Sequence, residues 1–262
     1  MNALPKSHLS HSQVNMFLRC PKQYEFRYFE NIIAPPSGML ILGSSGHSAL
    51  AYNFTQKIDS HKDLKASDIC DYFASEFDKR IEEEQPIFEP DLSRGDLKDG
   101  GVSVIKKYRS DFSGSIQPVE VEKEFNIEFE NVEYTLNGYI DLIDDRGLIR
   151  DHKFSRKTPN QNDIDDDMQA TVYYMAYKYD YDCEPKGFEY DYLINKKNPE
   201  IKPYPTSRSQ ADIEEYLGIL GDISNAIKAG NFYKNTQGWH CSPQYCGYFA
   251  QCRPHRLSKI FI

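Results

Sequence analysis

A chain of 262 residues with 39% hydrophobic residues, 19 tyrosines and 15 phenylalanines can close a core, which excludes wholesale disorder. The net charge of −9 and pI near 5.3 speak against a general polyanion-coating protein, but a nucleic-acid enzyme needs only a local basic lining. No apolar run approaches the roughly 20 residues that span a bilayer, and residues 1–8 lack the apolar stretch of a secretory signal, so a single cytoplasmic domain is expected.

Ser10 and Gln13 stand at capping-box spacing and predict a short helix from Ser10. Cys20-Pro21 follows, then an aromatic-rich stretch with Tyr24, Phe26, Tyr28 and Phe29, then a loop at Pro35-Pro36-Ser37-Gly38. Helices are predicted over residues 40–54, which carry Gly43, Gly46 and His47, over 67–84 and over 102–112, with 85–99 a polar loop. From Val119 the period changes to two. Val119, Val121, Lys123, Phe125, Ile127 and Phe129 alternate with Glu120, Glu122, Glu124, Asn126, Glu128 and Glu130, predicting a half-buried strand with one acidic face.

Val132, Tyr134, Leu136, Gly138, Ile140 and Leu142 mark a second strand, and residues 148–154 a third, after turn residues Asp144-Asp145-Arg146-Gly147. The three read as a meander. Residues 158–163 read as a loop. A helix over 168–179 has Asp165, Asp166 and Asp167 at its positive N-terminal end. A fourth strand covers 187–194. Ser207 and Gln210 have capping-box spacing and predict a helix to about Lys228, stopped by Gly230. Basic clusters lie at Lys196-Lys197, 153–157 and 253–259, and read mainly as solvated surface.

Phosphodiester cleavage needs a hard divalent cation, for which carboxylates are the natural ligands. A nearby lysine can orient the nucleophile and stabilise developing negative charge. Asp151 and Lys153 are two apart on one strand and share a face. The turn before them sets Asp141 opposite Arg150 or Asp151, uncertain by one residue of register. On spacing alone the triplet also fits exposed strand acids with a solvated lysine. The residues Gly138-Tyr139-Ile140-Asp141 and Asp151-His152-Lys153 nevertheless have company. Gly43-Ser44-Ser45-Gly46-His47 precedes them, and Gln169-Ala170-Thr171-Val172-Tyr173 follows.

In that order the four motifs resemble the PD-(D/E)XK nuclease superfamily, specifically its RecB-like branch with the AddB-type and CRISPR-adaptation nucleases. The resemblance implies an α/β, restriction-endonuclease-like core, a small mixed sheet flanked by helices. It implies catalytic Asp141, Asp151 and Lys153, Mg2+ or Mn2+ held by His47, Asp141 and Asp151, and DNA positioned by Gln169 and Tyr173. A further acid is expected on the preceding strand. Glu122 is the choice, because Glu122-Lys123-Glu124-Phe125 resembles the family's form, although Glu120 and Glu124 share its predicted face. Tyr173, Tyr174 and Tyr177 are candidates to stack on bases, though a helix core explains at least two of them equally well.

Of six cysteines, three cluster as Cys241, Cys246 and Cys252, and Cys20 stands at the other end of the chain. A cytosolic chain of this size is not expected to use them as a disulfide framework. Four thiolates would tie the N-terminal helix to the tail through a metal. By resemblance to members with an early Cys-Pro step and three late cysteines, a [4Fe-4S] cluster is expected, with zinc the alternative. The interval from Cys241 to Cys246 is longer than usual in that group. Cys70 and Cys183 are expected to be buried small residues.

The organisation expected is one nuclease domain over 1–262, with a catalytic core at 38–200 and cluster-binding segments at 1–37 and 230–262. The activity expected is metal-dependent hydrolysis of DNA, favouring single-stranded ends. The alternative is a non-catalytic DNA-binding or assembly subunit. A helicase or recombination partner fits either, since the chain lacks the G-x-x-x-x-G-K-[ST] loop of an ATP-driven motor.

Overall fold

The computed structural model describes residues 7–129 and 134–257. In chain order the elements are β1 (His8–Leu9), α1 (His11–Arg19), α2 (Pro21–Tyr28), α3 (Gly38–Ser60), α4 (Ala66–Glu84) and α5 (Arg94–Asp111). Then come β2 (Pro118–Glu128), β3 (Thr135–Asp144), β4 (Leu148–Ser155), α6 (Gln161–Asp165), α7 (Met168–Tyr181), β5 (Gly187–Ile194) and β6 (Glu200–Thr206). The last are α8 (Gln210–Lys228), α9 (Phe249–Cys252) and α10 (Pro254–Leu257). Among the described residues no helix is long and apolar enough to cross a membrane.

These elements form two compact units. One comprises Pro36–Phe125 and Gly138–Ile213; the other comprises the described residues of Met1–Pro35, Asn126–Asn137 and Glu214–Ile262. The first is an α/β body built on a mixed, open sheet. Here β4 is central: it pairs antiparallel with β3 on one side and parallel with β5 on the other, and β6 adds antiparallel to β5. Parallel strands need a crossover, and α6 and α7 supply it between β4 and β5. β2 pairs with β3, as the expected meander requires.

Helices α3, α4 and α5 pack on one another through Leu42, Ile69, Phe73, Phe77, Leu97 and Ile105. A second cluster seats α3 and α5 on the sheet through Leu50, Phe54, Val104, Tyr108, Leu142 and Leu193. Each such buried Leu or Phe contributes about 1.5–3 kcal/mol relative to exposure. In the other unit, Thr135 and Leu136 at the start of β3 pair in parallel with His8 and Leu9 of β1. There α1 is capped by Ser10, whose Oγ accepts the Gln13 N–H.

Several expectations need correction. The aromatic stretch after Cys20 is the helix α2, with Pro21 in the first turn, where its missing N–H costs nothing. Residues 94–99 belong to α5, because Ser93 and Asp96 make a reciprocal capping box that starts the helix early. α8 is opened by Ser209 and Asp212 rather than by Ser207 and Gln210. β1, α6 and β6 are too short, or too rich in proline and charge, to have shown a period. Cys183 is exposed, whereas Cys70 is buried. The Lys196 ammonium pairs with Glu200 at 2.5 Å, so that cluster is an ordinary paired surface. Glu130, Val132 and Lys259, which figured in the strand patterns and the last basic cluster, lie outside the described residues.

The alternation of β2 also fails at one point. Phe125 and Ile127 are buried as expected, but Pro118 is buried where Val119 is 47% exposed, so the parity flips along the strand. Between the two halves Glu122 adopts φ +48°, a left-handed conformation that kinks a strand and turns its side chain away from the regular face.

Close approach of α3 to β4 depends on Gly46 rather than Gly43. A Cβ at Gly46 would lie 2.2 Å from the Phe154 ring, whereas nothing stands within 4 Å of one at Gly43. Gly46→Ala is therefore expected to destabilise the protein by about 1–3 kcal/mol through overpacking. Gly43→Ala should leave stability unchanged or raise it by up to about 1 kcal/mol through helix propensity. Urea denaturation of the two variants checks both.

Candidate active site

β4 brings acid and base to the middle of the sheet because a central strand is paired on both sides and buried on both faces. Alternation then separates its residues. Asp151 and Lys153 leave one face; Arg150 and His152 leave the other. Extending the register Leu142–Arg150 and Ile143–Ile149 by one step sets Asp141 against Asp151, which resolves the one-residue ambiguity left by the sequence. The Asp141 Oδ2 accepts the His152 backbone N–H at 2.8 Å, so the carboxylate is tied to β4 by the main chain.

α3 carries His47 to the same place, with Nδ1 3.0 Å from Asp141 Oδ2. The kink of β2 delivers Glu122. Ligand atoms of His47, Glu122 and Asp141 all lie within 4.8 Å of one another. Oxygens around one Mg2+ stand at most about 4.2 Å apart, given bonds of about 2.1 Å, so groups spaced within 4.8 Å need only a small inward movement to share one ion. Of the three acids sharing the predicted face of β2, Glu122 is the one that converges with His47 and Asp141.

Asp151 is fully buried and its Oδ2 lies 2.7 Å from Lys153 Nζ. Gln169, at the start of α7, bridges the pair: its Nε2 donates to Asp151 Oδ1 at 3.0 Å and its Oε1 accepts from Lys153 Nζ at 2.5 Å. Asp167 caps that helix through the Gln169 N–H. The Gln169 Nε2 also donates to Tyr173 Oη at 2.9 Å. Tyr173 packs against Phe125 and Phe188, and both it and Tyr174 are buried. Tyr177 packs against Tyr181 with the rings tilted 36° to each other. Tyr173 and Tyr174 are therefore core, and neither offers a face to a base.

The charges shift one another. Burial raises the Asp141 carboxyl, but protonated His47 and the His152 hydrogen bond outweigh it and hold Asp141 well below the usual carboxylate range. Burial pushes Asp151 up, to about 6, with Asp141 adding to the rise and Lys153 opposing it. Burial lowers Lys153, yet the Asp151 charge overrides this and its pKa rises, so it stays an ammonium. Glu122 is raised by desolvation and then by the charge of Asp141.

Behind β4 lies a network that the sequence did not reveal. Tyr108 Oη donates to Asp191 at 2.8 Å and stands 3.1 Å from His152 Nε2. Arg150 Nη1 donates to Glu189 at 2.5 Å and to Asp191 at 3.1 Å. The only written sign was the i, i+2 spacing of Glu189 and Asp191 on a strand otherwise rich in apolar and aromatic residues.

In the other unit, Cys20, Cys241, Cys246 and Cys252 line one cavity with Gln23, Arg253 and neighbouring side chains. Gln23 Nε2 donates to Cys246 Sγ at 3.2 Å, and Arg253 Nη1 to Cys241 Sγ at 3.4 Å. Among the described residues no three cysteine sulfurs lie within 4.8 Å of one another.

The sequence matches the PD-(D/E)XK nuclease superfamily over residues 8–253. The chain belongs to that superfamily. A curated relative of this PD-(D/E)XK chain, the gene 69 protein of Mycobacterium phage L5, is 24% identical, the match spanning 90% of this chain and 92% of that protein. A crystal structure from Eubacterium rectale, named "Putative exonuclease", superposes with a TM-score of 0.61 at 12% identity. That superposition covers 90% of this chain and 87% of the other, and shows a shared fold.

Protonation of His47 couples pH to stability. Burial lowers its pKa, but the Asp141 charge and hydrogen bond outweigh this and raise it from 6.5 to about 9. A raised folded-state pKa stabilises fully below 6.5 and loses that contribution as pH climbs through about 9. In EDTA, the wild type should therefore lose stability between pH 6.5 and 9 relative to His47→Gln, as read by urea midpoints.

Proposed function

We propose that this protein is a metal-dependent deoxyribonuclease of the RecB-like kind, acting on single-stranded DNA ends. The observation that carries the reading is the convergence of His47, Glu122 and Asp141 on one ion-sized space beside the Asp151–Lys153 pair. His47, Glu122 and Asp141 would hold Mg2+ or Mn2+, with Asp151 alongside. When bound, the ion polarises the phosphate and eases deprotonation of the attacking water. The Lys153 ammonium donates hydrogen bonds toward the attacking water and the phosphate oxygens, stabilising the charge that builds as the phosphorus–oxygen bond breaks. Gln169 fixes the amine and Asp151 in register, so little reorganisation is needed on reaction. A helicase or recombination partner would supply the frayed strand.

Cleavage of labelled single-stranded and duplex DNA with Mn2+ or Mg2+ tests the proposal. Lys153→Ala should cost about 100-fold or more in rate. Wild-type protein without metal-dependent cleavage, or cleavage indifferent to the substitution, favours the non-catalytic DNA-binding alternative.

The four cysteines are read as ligands of a [4Fe-4S] cluster. A single tetrahedral zinc is the alternative occupant of the same four thiols. Burial raises the Cys246 and Cys252 thiols, which a bound metal would reverse by taking the thiolate. The N–H···S bonds from Gln23 and Arg253 are the kind that stabilise cluster sulfurs. Anaerobically purified protein should be brown and contain iron, and Cys246→Ser should bleach it. A colourless, zinc-loaded protein would reject the assignment.

A further inference from the structure

From His47 toward its C-terminal end, α3 lines a groove of about 860 Å³ that runs on from the proposed ion site. It is lined by His47, Ala51, Tyr52 and Thr55 on α3, Tyr72 on α4 and Glu122 on β2. The α3 residues recur at helical spacing, so a single face of that helix forms the floor. Two of these residues, His47 and Glu122, also belong to the proposed ion site, which makes groove and site continuous.

Tyr52 and Tyr72 are 42% and 37% exposed, and their rings stack on each other at 4.5 Å with 11° between planes. The pair comes from two helices held by a common core, so it is preorganised. Tyr52 is five residues beyond His47, about 7.5 Å along the helix axis, which is about two base steps of 3.4 Å in a stacked strand. Arg80 Nη2 donates to Ser48 Oγ, another groove residue, at 3.3 Å. Its guanidinium is flanked by Glu76 and Glu84, and Asp59 also lines the groove, so the hold on a strand falls to the aromatic pair rather than to charge. Stacked aromatic rings bind unpaired bases without regard to sequence, because every base has a π-face. A duplex keeps its base faces covered by their own neighbours.

From this geometry we infer that the Tyr52–Tyr72 pair is a base-stacking subsite that holds a single nucleic-acid strand as it runs along α3 away from the ion site. The inference rests on the nuclease reading above and adds to it the element that selects unpaired strands. Tyr52 and Tyr72 thus take the role that buried Tyr173 and Tyr174 cannot fill.

Fluorescence anisotropy of a labelled oligothymidylate in EDTA, where no cleavage occurs, tests the subsite on its own. The double variant Tyr52→Ala/Tyr72→Ala should bind about tenfold or more weakly, while Tyr52→Phe/Tyr72→Phe stays within about twofold of wild type. A strand of abasic residues should bind wild type as weakly as oligothymidylate binds the alanine variant. That arm needs no mutant to fold. Undiminished binding by the alanine variant, equal binding of the abasic strand, or equal competition by duplex DNA would each overturn the inference. The cleavage assay on wild type decides the nuclease reading separately, since anisotropy requires no turnover.

Discussion

Two carboxylates, Asp141 and Asp151, share one largely buried space, and like charges in such surroundings cannot both ionise freely. The surrounding structure answers that repulsion. Asp141 is held ionised by His47 and by a main-chain N–H, and Asp151 is pressed upward in pKa but drawn to Lys153. His47 and Lys153 balance the two carboxylates, and Glu122 adds a third acid beside them, which makes the place attractive to a divalent cation.

Holding these groups in place falls to β4. Its far face carries Arg150 and His152 into a buried network with Tyr108, Glu189 and Asp191. Removing Arg150 would leave acids buried and unpaired, which is far costlier than the net gain the pairs provide. The network therefore acts most strongly on register. A slip of one residue would send Arg150 toward the face of Asp151 and Lys153 into the network, and no arrangement of the partners could satisfy both. Gln169 makes the matching tie on the near face, joining α7 to the Asp151–Lys153 pair.

Much of the site could be read from local pattern. Asp151 and Lys153 share a face by strand periodicity alone, and the order of His47, Asp141, Asp151 and Gln169 along the chain was enough to resemble a family. Glu122 was chosen from three equivalent-looking acids by resemblance; the positive φ that singles it out physically has no signature in an alternating string. Gly43 stood out in the motif, yet Gly46 is the glycine that α3 needs, because close approach depends on what lies opposite. Tyr173 and Tyr174 had the right composition for stacking and the wrong burial. Tyr52 and Tyr72 lie 20 residues apart in the chain, and nothing local announces that their rings meet.

The sequence by itself determined the periods of the longer helices and of β3 and β4, the cap at Ser10, the acids at the start of α7, and the chemical inventory of acids, lysine, histidine and thiols. Those properties depend on neighbours within a turn or a strand pair. Only the tertiary structure decided that Asp141 lies against Asp151, that Glu122 leaves its strand face, and that Cys20 joins the three late cysteines around one cavity. Glu122 and Cys20 meet their neighbours across long stretches of chain, and the Asp141–Asp151 pairing, though local to one hairpin, turns on a register that the turn residues left open by one. The acid…acid-x-lysine pattern names the reagents; the central strand and its buried network make them a site.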